Sequence, residues 1–162
     1  MKKLIILLLF PFIINTQNKI ITIDGKDSKL INTNEYILNL EVVEILKPGN
    51  LFIAIWKDPL AFNAYNKNNK DVKNKIYSSL KERVGVGVFK KSIKLPKGVY
   101  LVSIYLDSNF NNKLDYNFLG IPKEQYGFSN NEISNFRRPK FNEASFKLKN
   151  DSSLKIRLRS IL

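Results

Sequence analysis

Apolar and polar residues alternate along several short stretches of this chain, as they do in β-strands that bury one face. Leu38 and Leu40 stand between polar neighbours, and the pattern predicts a half-buried strand over residues 36–45. Residues 51–56 are apolar at every position, which indicates a central strand covered on both faces. Residues 47–50 contain Pro followed by Gly, a turn signal, so the two strands form a predicted hairpin.

The same alternation predicts four further strands, and a short first strand is expected at residues 19–24. The four later strands cover residues 84–95, 99–106, 144–148 and 154–158. Ahead of them, Val72, Ile76 and Leu80 stand at helical spacing within a stretch rich in Asn and Lys. A short surface helix and an exposed loop are the two alternatives for that stretch.

A long stretch without regular alternation, residues 117–138, separates the predicted strands. This stretch and the residues just after it contain many large apolar side chains: Phe118, Leu119, Ile121, Tyr126, Phe128, Phe136 and Phe141. Because they are too numerous for a solvated loop, we expect the stretch to plug one end of the domain with its own side chains. The chain as a whole predicts an all-β, antiparallel sandwich of about seven strands with a long plugged loop.

The predicted strand at residues 99–106 runs directly into a loop rich in Asp and Asn. Oxygen ligands at relative positions 1, 3, 5, 7 and 9 of an EF-hand calcium loop would come from Asp107, Asn109, Asn111, the carbonyl of Lys113, and Asp115. Position 12 is Phe118 in place of the bidentate Glu, so affinity would be modest unless Glu124 or Glu143 folds back over the loop. The alternatives are a weak Ca²⁺ site and a metal-free series of Asx turns.

The chain contains no His and no Cys. This composition argues against an enzyme, and we identify no catalytic residue. The chain therefore lacks the commonest general base, thiol nucleophiles, ordinary zinc ligands and disulfides. The alternative is a carboxylate-dependent hydrolase of envelope polysaccharide, with two acids from Asp107, Asp115 and Glu124 as its pair. Ser129 has no His to activate it, and we interpret its sequence, GFSNN, as a tight turn capped by amide side chains.

The aromatic and cationic side chains near the loop have two interpretations each. Tyr105, Tyr116, Tyr126 and Phe128 would be either core residues or a platform for a sugar or a peptide. Arg137 and Arg138 would form an anion site or cover the acidic loop, and we favour the second interpretation. The expected function is non-enzymatic, either binding or structural at the cell envelope, and the expected partner is a peptide, a glycan or another envelope component.

The first residues of the chain predict export. Lys2 and Lys3 precede an apolar run over residues 4–14, as in a secretory signal peptide, and the run is shorter than the roughly 20 residues of a membrane span. We assign residues 1–17 to the signal peptide and residues 18–162 to a single domain that is secreted or periplasmic. Lys is spread over the whole chain, so the net charge of +13 does not indicate a nucleic-acid partner.

Three longer stretches have a recognisable sequence: LDSNFNNKLD (residues 106–115), NFLGIPKEQYGFSNN (117–131) and RRPKFNEASF (137–146). They resemble the DUF2141 family of exported bacterial proteins of unknown function. The resemblance implies a small Greek-key β-sandwich, prealbumin-like or immunoglobulin-like, with no established enzymatic activity. The family's loop usually reads HDENGNGKLD, so Leu106 replaces its His, and Phe110 and Asn112 replace its two Gly. Asn112 can still adopt a left-handed conformation, so we expect the turn to survive.

Overall fold

Eight strands and two short helices form in the computed structural model, which describes residues 35–65, 75–132 and 137–160. The strands are β1 (Glu35–Ile45), β2 (Gly49–Trp56), β3 (Ser78–Val84), β4 (Gly87–Pro96), β5 (Gly98–Asp107), β6 (Tyr126–Phe128), β7 (Phe146–Leu148) and β8 (Ser152–Arg157). The helices are α1 (Pro59–Ala64) and α2 (Phe141–Ala144), and Ser129–Asn131 forms a 3-10 turn. The predicted signal peptide and the predicted strand at residues 19–24 lie outside the described residues. No helix in the described ranges is long and apolar enough to cross a membrane.

The strands form two sheets, one ordered β4-β1-β8 and the other β3-β2-β5-β6, with β7 paired to the first residues of β5. The all-β prediction is therefore confirmed. Pairing is antiparallel between β1 and β4 and throughout the larger sheet, but β1 and β8 run parallel. The expectation of a wholly antiparallel fold is wrong at this pair. A short hairpin forces antiparallel pairing, whereas β1 and β8 are far apart in the chain and packing sets their relative direction.

Two sequence predictions around residue 84 are corrected by the fold. The predicted strand at residues 84–95 joins the last residue of β3 to most of β4, because the chain turns at residues 85–86 between the two strands. Gly87 has a φ of 111°, a conformation that glycine adopts without steric cost, and this lets the chain reverse. Leu80, placed in a helix or loop by its spacing, lies in β3.

One hydrophobic core is shared by the two sheets. The buried residues alternate along each strand, so every second side chain of β1, β2 and β5 points between the sheets. The core residues of these three strands are Leu38, Leu40, Val42, Ile45, Leu51, Ile53, Ile55, Tyr100, Val102, Ile104 and Leu106. Burial of this apolar surface from both sheets is what holds them together.

A second hydrophobic cluster covers part of the outer face of the larger sheet. Trp56 and Leu101 on the sheet pack there with Phe62 of α1 and with Phe141 and Ala144 of α2. Helix α1 begins where it does because the side chain of Asp58 accepts the N–H groups of Leu60 and Ala61, with Pro59 at the first helical position.

The expected plug forms only in part. Phe141 is buried and Phe128 packs against the second cluster, but Phe118 is 94% and Leu119 67% exposed. The interpretation that these two side chains fill one end of the domain is wrong, because the turn that carries them projects away from the core. Phe136 lies outside the described residues.

Gly49, the first residue of β2, lies directly against the end of β5. A Cβ atom added there would be 2.6 Å from the backbone oxygen of Asp107, closer than non-bonded atoms approach. We expect Gly49→Ala to lower the free energy of unfolding by about 1–3 kcal/mol, measured by urea denaturation. Gly85→Ala is the matched control, because nothing lies within 4 Å of its added Cβ, and its stability should stay within about 0.5 kcal/mol of the wild type. Equal losses in the two variants would contradict this account.

Candidate functional site: the Asp/Asn loop and the face beside it

Asp107 ends β5 and turns its carboxylate into the protein. The residue is fully buried, and its two oxygens accept the N–H groups of Asn111 at 3.1 Å and Asn112 at 2.8 Å. Burying a charge is costly unless it is hydrogen-bonded, and bonds from N–H groups to a carboxylate are among the stronger ones. The carboxylate therefore holds the loop against the end of its strand.

Three other members of the predicted ligand set meet at one atom. Asn109 and Asn111 donate their side-chain N–H groups to Oδ2 of Asp115, at 2.7 and 2.8 Å. Their amide oxygens accept the backbone N–H groups of Asn111 and Lys113, which are the predicted Asx turns. Hydrogen bonds thus close the loop, and no three His, Cys, Asp or Glu side chains group as a metal site in the part of the chain that the structure describes.

Glu124 folds back over the loop, as the sequence allowed. Its two carboxylate oxygens accept the N–H groups of Ser108 at 2.9 Å and Asp115 at 3.3 Å. The next residue, Gln125, reaches the turn between β1 and β2, where it accepts from the N–H of Leu46 and donates to the carbonyl of Glu44. Glu124 and Gln125 are both buried, and together they tie the loop to the neighbouring turn.

The loop contains two residues in the left-handed region at the places where the family has glycine. Asn112 has a φ of 61°, as expected, and Phe110 has a φ of 62°, which is costly for a bulky side chain. Strand β3 supports both residues. Lys81 donates to the side chain of Asn112 at 2.7 Å, and the guanidinium of Arg83 lies 4.6 Å from the ring centre of Phe110.

The GFSNN stretch connects elements of both sheets. Ser129 is fully buried and hydrogen-bonds to the backbone of Val102 in β5 and of Ala144 in α2. Asn131 donates to the carbonyl of Lys155 and accepts from the N–H of Arg157, so its amide side chain pairs with the edge of β8. The interpretation of this stretch as a turn whose amides cap its neighbours agrees with these contacts.

Aromatic side chains form a row across the outer face of the larger sheet. Phe52 and Tyr105 stack with their ring centres 4.7 Å apart, and Nζ of Lys81 lies 5.2 Å from the ring centre of Phe52. Tyr126 stands opposite Tyr105 in the strand register. All three aromatic side chains are partly exposed, so this part of the sheet face has ring edges at its surface.

Two further tyrosines act on Tyr105 electrostatically. Tyr65 follows α1, with its ring centre 5.3 Å from that of Trp56, and Tyr116 lies in the loop after β5. Burial raises the pKa of Tyr105, and the carboxylate of Asp107 and both of these tyrosines raise it further. Burial also raises the pKa of Tyr116. Both phenols therefore stay protonated at neutral pH and keep O–H groups that can donate.

Arg137 and Arg138 have other partners than the acidic loop. Arg137 forms a two-pronged ion pair with Glu143, at 2.9 and 2.8 Å, and this contact holds the pKa of Glu143 down at about 2. The guanidinium of Arg138 lies 3.7 Å from the ring centre of Phe62. It donates to the carbonyl of Phe62 in α1 and to that of Tyr65, the residue after the helix. Burial lowers the pKa of Arg138 to about 10. The interpretation that this pair covers the acidic loop is wrong, because Arg137 binds Glu143 of α2 and Arg138 binds the carbonyls at the end of α1.

Residues 44–156 match the family described as an uncharacterized protein conserved in bacteria, DUF2141. The chain belongs to the DUF2141 family. No curated protein and no solved structure matches it. In this DUF2141 chain the match includes the Asp/Asn loop and the GFSNN turn, the two stretches with the densest side-chain hydrogen bonding to the backbone.

No pattern in the sequence indicates four residues of this DUF2141 site: Phe52, Tyr65, Lys81 and Gln125. Phe52 and Lys81 reach the site from neighbouring strands, and only the register of β2 between β3 and β5 brings them there. Gln125 and Tyr65 lie in stretches without periodicity. The neighbours of a strand are set by pairing between distant segments, which one sequence does not state.

Removing the carboxylate of Asp107 should destabilise the domain without any metal being involved. Asp107→Ala leaves the partly buried N–H of Asn112 without its acceptor, so we expect the free energy of unfolding in EDTA to fall by about 1–3 kcal/mol from that of the wild type. Asn109→Ala is the control, with an expected loss below about 1 kcal/mol, because the N–H of Asn111 keeps its bond to Asp107. A loss for Asp107→Ala no larger than that of the control would show that the buried carboxylate does not organise the loop.

Proposed function

We propose that the protein is a non-enzymatic, exported binding domain of the cell envelope, and that its ligand contacts the outer face of the larger sheet beside the Asp/Asn loop. The observation that carries the proposal is the row of Phe52, Tyr105 and Tyr126, whose partly exposed rings lie side by side on this face. The phenols of the two tyrosines can donate hydrogen bonds, and the neighbouring ring edges offer apolar contact, a combination that suits the hydroxyls and amides of a glycan or a peptide.

The hydrogen bonding of the acids supports binding over catalysis. Asp107 and Glu124 each accept two backbone N–H groups and are buried, while Asp115 accepts two side-chain amides. A carboxylate pair for glycoside hydrolysis needs to face the scissile bond across a cleft. Acids that are committed to shaping a loop are better suited to holding a rigid surface.

Two further parts of the proposal rest on the sequence. Export rests on the basic and apolar pattern of residues 1–17. A Greek-key, prealbumin-like relationship rests on the family resemblance, to which the two packed sheets add general support.

Binding of a soluble peptidoglycan fragment would test the proposal, because such a fragment contains both sugar and peptide. We expect titration calorimetry to detect binding that Tyr105→Phe combined with Tyr126→Phe weakens about 3- to 10-fold per lost hydrogen bond. These changes keep the rings and their packing. Tyr77→Phe is the matched control and should bind as the wild type does, because the Tyr77 ring packs on Tyr100, which belongs to the core between the sheets.

The same titration separates the competing explanations. Oligomers of N-acetylglucosamine that lack peptide should compete if the sugar is recognised. Unchanged affinity in the double Tyr variant would contradict the proposed face. Release of reducing ends from the fragment, abolished by Glu124→Gln, would instead identify the carboxylate-dependent hydrolase.

A weak Ca²⁺ site in the loop is a second candidate, because the side chains of Asn109 and Asn111 already meet Asp115 and would supply oxygen ligands if their amides turned over. With Asp107 and the Lys113 carbonyl, these groups make up the predicted ligand set. At a dissociation constant of about 1 mM, about 10 mM Ca²⁺ would add roughly 1.4 kcal/mol to the stability. Thermal melting should show that shift in the wild type and not in Asp115→Asn. Melting that is identical with Ca²⁺, Mg²⁺ and EDTA would leave only the metal-free loop.

A further inference from the structure

Three connections leave the sandwich at the same end. Gly49 of β2 pairs with Val84 of β3, the next residue of β2 pairs with Asp107 of β5, and Ile45 of β1 pairs with Gly87 of β4. The connections that follow or precede these residues, at 46–48, 85–86 and 108–125, therefore lie side by side. We call this the loop end of the domain.

Each connection at the loop end exposes at least one large apolar side chain. These are Leu46, Val86, Phe110, Phe118 and Leu119, with exposed fractions of 65%, 68%, 42%, 94% and 67%. Leu46 and Val86 lie on separate turns, and Phe110, Phe118 and Leu119 lie on the longest connection.

Residues 115–123 form a small hairpin that presents Phe118 and Leu119 at its tip. The N–H of Lys123 donates to the carbonyl of Asp115, and that of Asn117 donates to the carbonyl of Ile121, both at 2.8 Å. The side chain of Asn117 accepts two N–H groups inside the tip, and Gly120 takes a φ of 77°. The tip is therefore ordered before it meets any partner, which reduces the entropy lost on binding.

The charges of the loop end are arranged with cations outward. Lys47, Arg83, Lys113 and Lys123 are exposed on or beside the three connections. The acids near this end have partners: Asp107 and Glu124 are buried and bonded to backbone N–H groups, Asp115 accepts the side-chain amides of Asn109 and Asn111, and Glu44 is paired with Arg157 at 2.8 Å. An anionic surface approaching this end would meet basic groups around apolar tips.

We propose that the loop end docks on an anionic lipid surface, with Phe118 and Leu119 entering the headgroup region. Exposed apolar side chains beside basic groups suit an anionic lipid interface, because the apolar side chains can enter it while the cations contact the headgroups. A protein partner would need a contiguous, shape-complementary surface of about 800 Å² on each side. Basic residues within a Debye length of anionic headgroups add attraction. This surface is distinct from the outer face of the larger sheet, where the proposed glycan or peptide binds.

A single tryptophan at the tip gives a local readout in the full chain. The native Trp56 is buried, so it contributes a constant background. We expect the emission of Leu119→Trp to shift to the blue on vesicles containing phosphatidylglycerol and not on pure phosphatidylcholine. Leu60→Trp is the matched control, because Leu60 is 80% exposed in α1, beyond the opposite end of β2, and its emission should not change.

Vesicle flotation measures the affinity. Phe118→Ser combined with Leu119→Ser should partition at least about tenfold more weakly than Leu60→Ser, because two apolar contacts with lipid are lost. Any contribution from the apolar N-terminal residues is the same in both chains and cancels. Lys113→Gln with Lys123→Gln should weaken binding, whereas Lys97→Gln with Lys149→Gln, in turns at the other end, should not.

Three results would overturn the proposal. The first is an unshifted emission of Leu119→Trp on phosphatidylglycerol vesicles. The second is equal partitioning of the tip and control variants. The third is a blue shift that appears without lipid as the protein concentration rises, which would assign the loop end to contact with a second copy of the chain.

Discussion

Buried polar side chains that bond to backbone groups are the constraint on which the site depends. Asp107, Glu124, Gln125 and Ser129 are buried, and each is hydrogen-bonded to main-chain atoms of the loop or of a neighbouring element. A buried polar group without a partner would cost several kcal/mol, so each of these side chains favours the one backbone path that satisfies it. They fix the path of residues 107–131, which has little regular secondary structure of its own.

The same segment closes the side of the sandwich where the two sheets meet. Tyr126 exchanges backbone hydrogen bonds with Arg159 at 2.9 Å, and the amide of Asn131 pairs with β8. Gly127 lies so close to β8 that an added Cβ would be 2.8 Å from a methyl carbon of Ile156. Short polar side chains and one glycine thus cover the edge of β8, where an additional strand would otherwise pair. Because the loop is rigid, it can hold tyrosines on one face and an apolar tip at the end without ordering them anew.

Strand positions could be read from the sequence wherever one face is buried and the alternation is unbroken, as in β1, β2 and β5. The turn at residues 85–86 was missed because the valines at 84, 86 and 88 keep the same alternation through it. The loop was found because its spacing of Asp and Asn is chemically distinctive, and Glu124 could be named as a further carboxylate near it. Exposure of Phe118 and Leu119 could not be read, since hydrophobicity alone does not say whether a turn faces the core or solvent.

The sequence by itself determined the all-β class, most strands, the Asx-turn chemistry of the loop and the membership in DUF2141. These follow from local patterns, because side-chain periodicity and short-range hydrogen bonding act over a few residues. Only the tertiary structure decided that β1 and β8 run parallel, that Arg138 packs on Phe62, and that three connections share one end. Each of these joins segments distant in the chain, and their meeting depends on which strands pair and how the sheets bury their shared core.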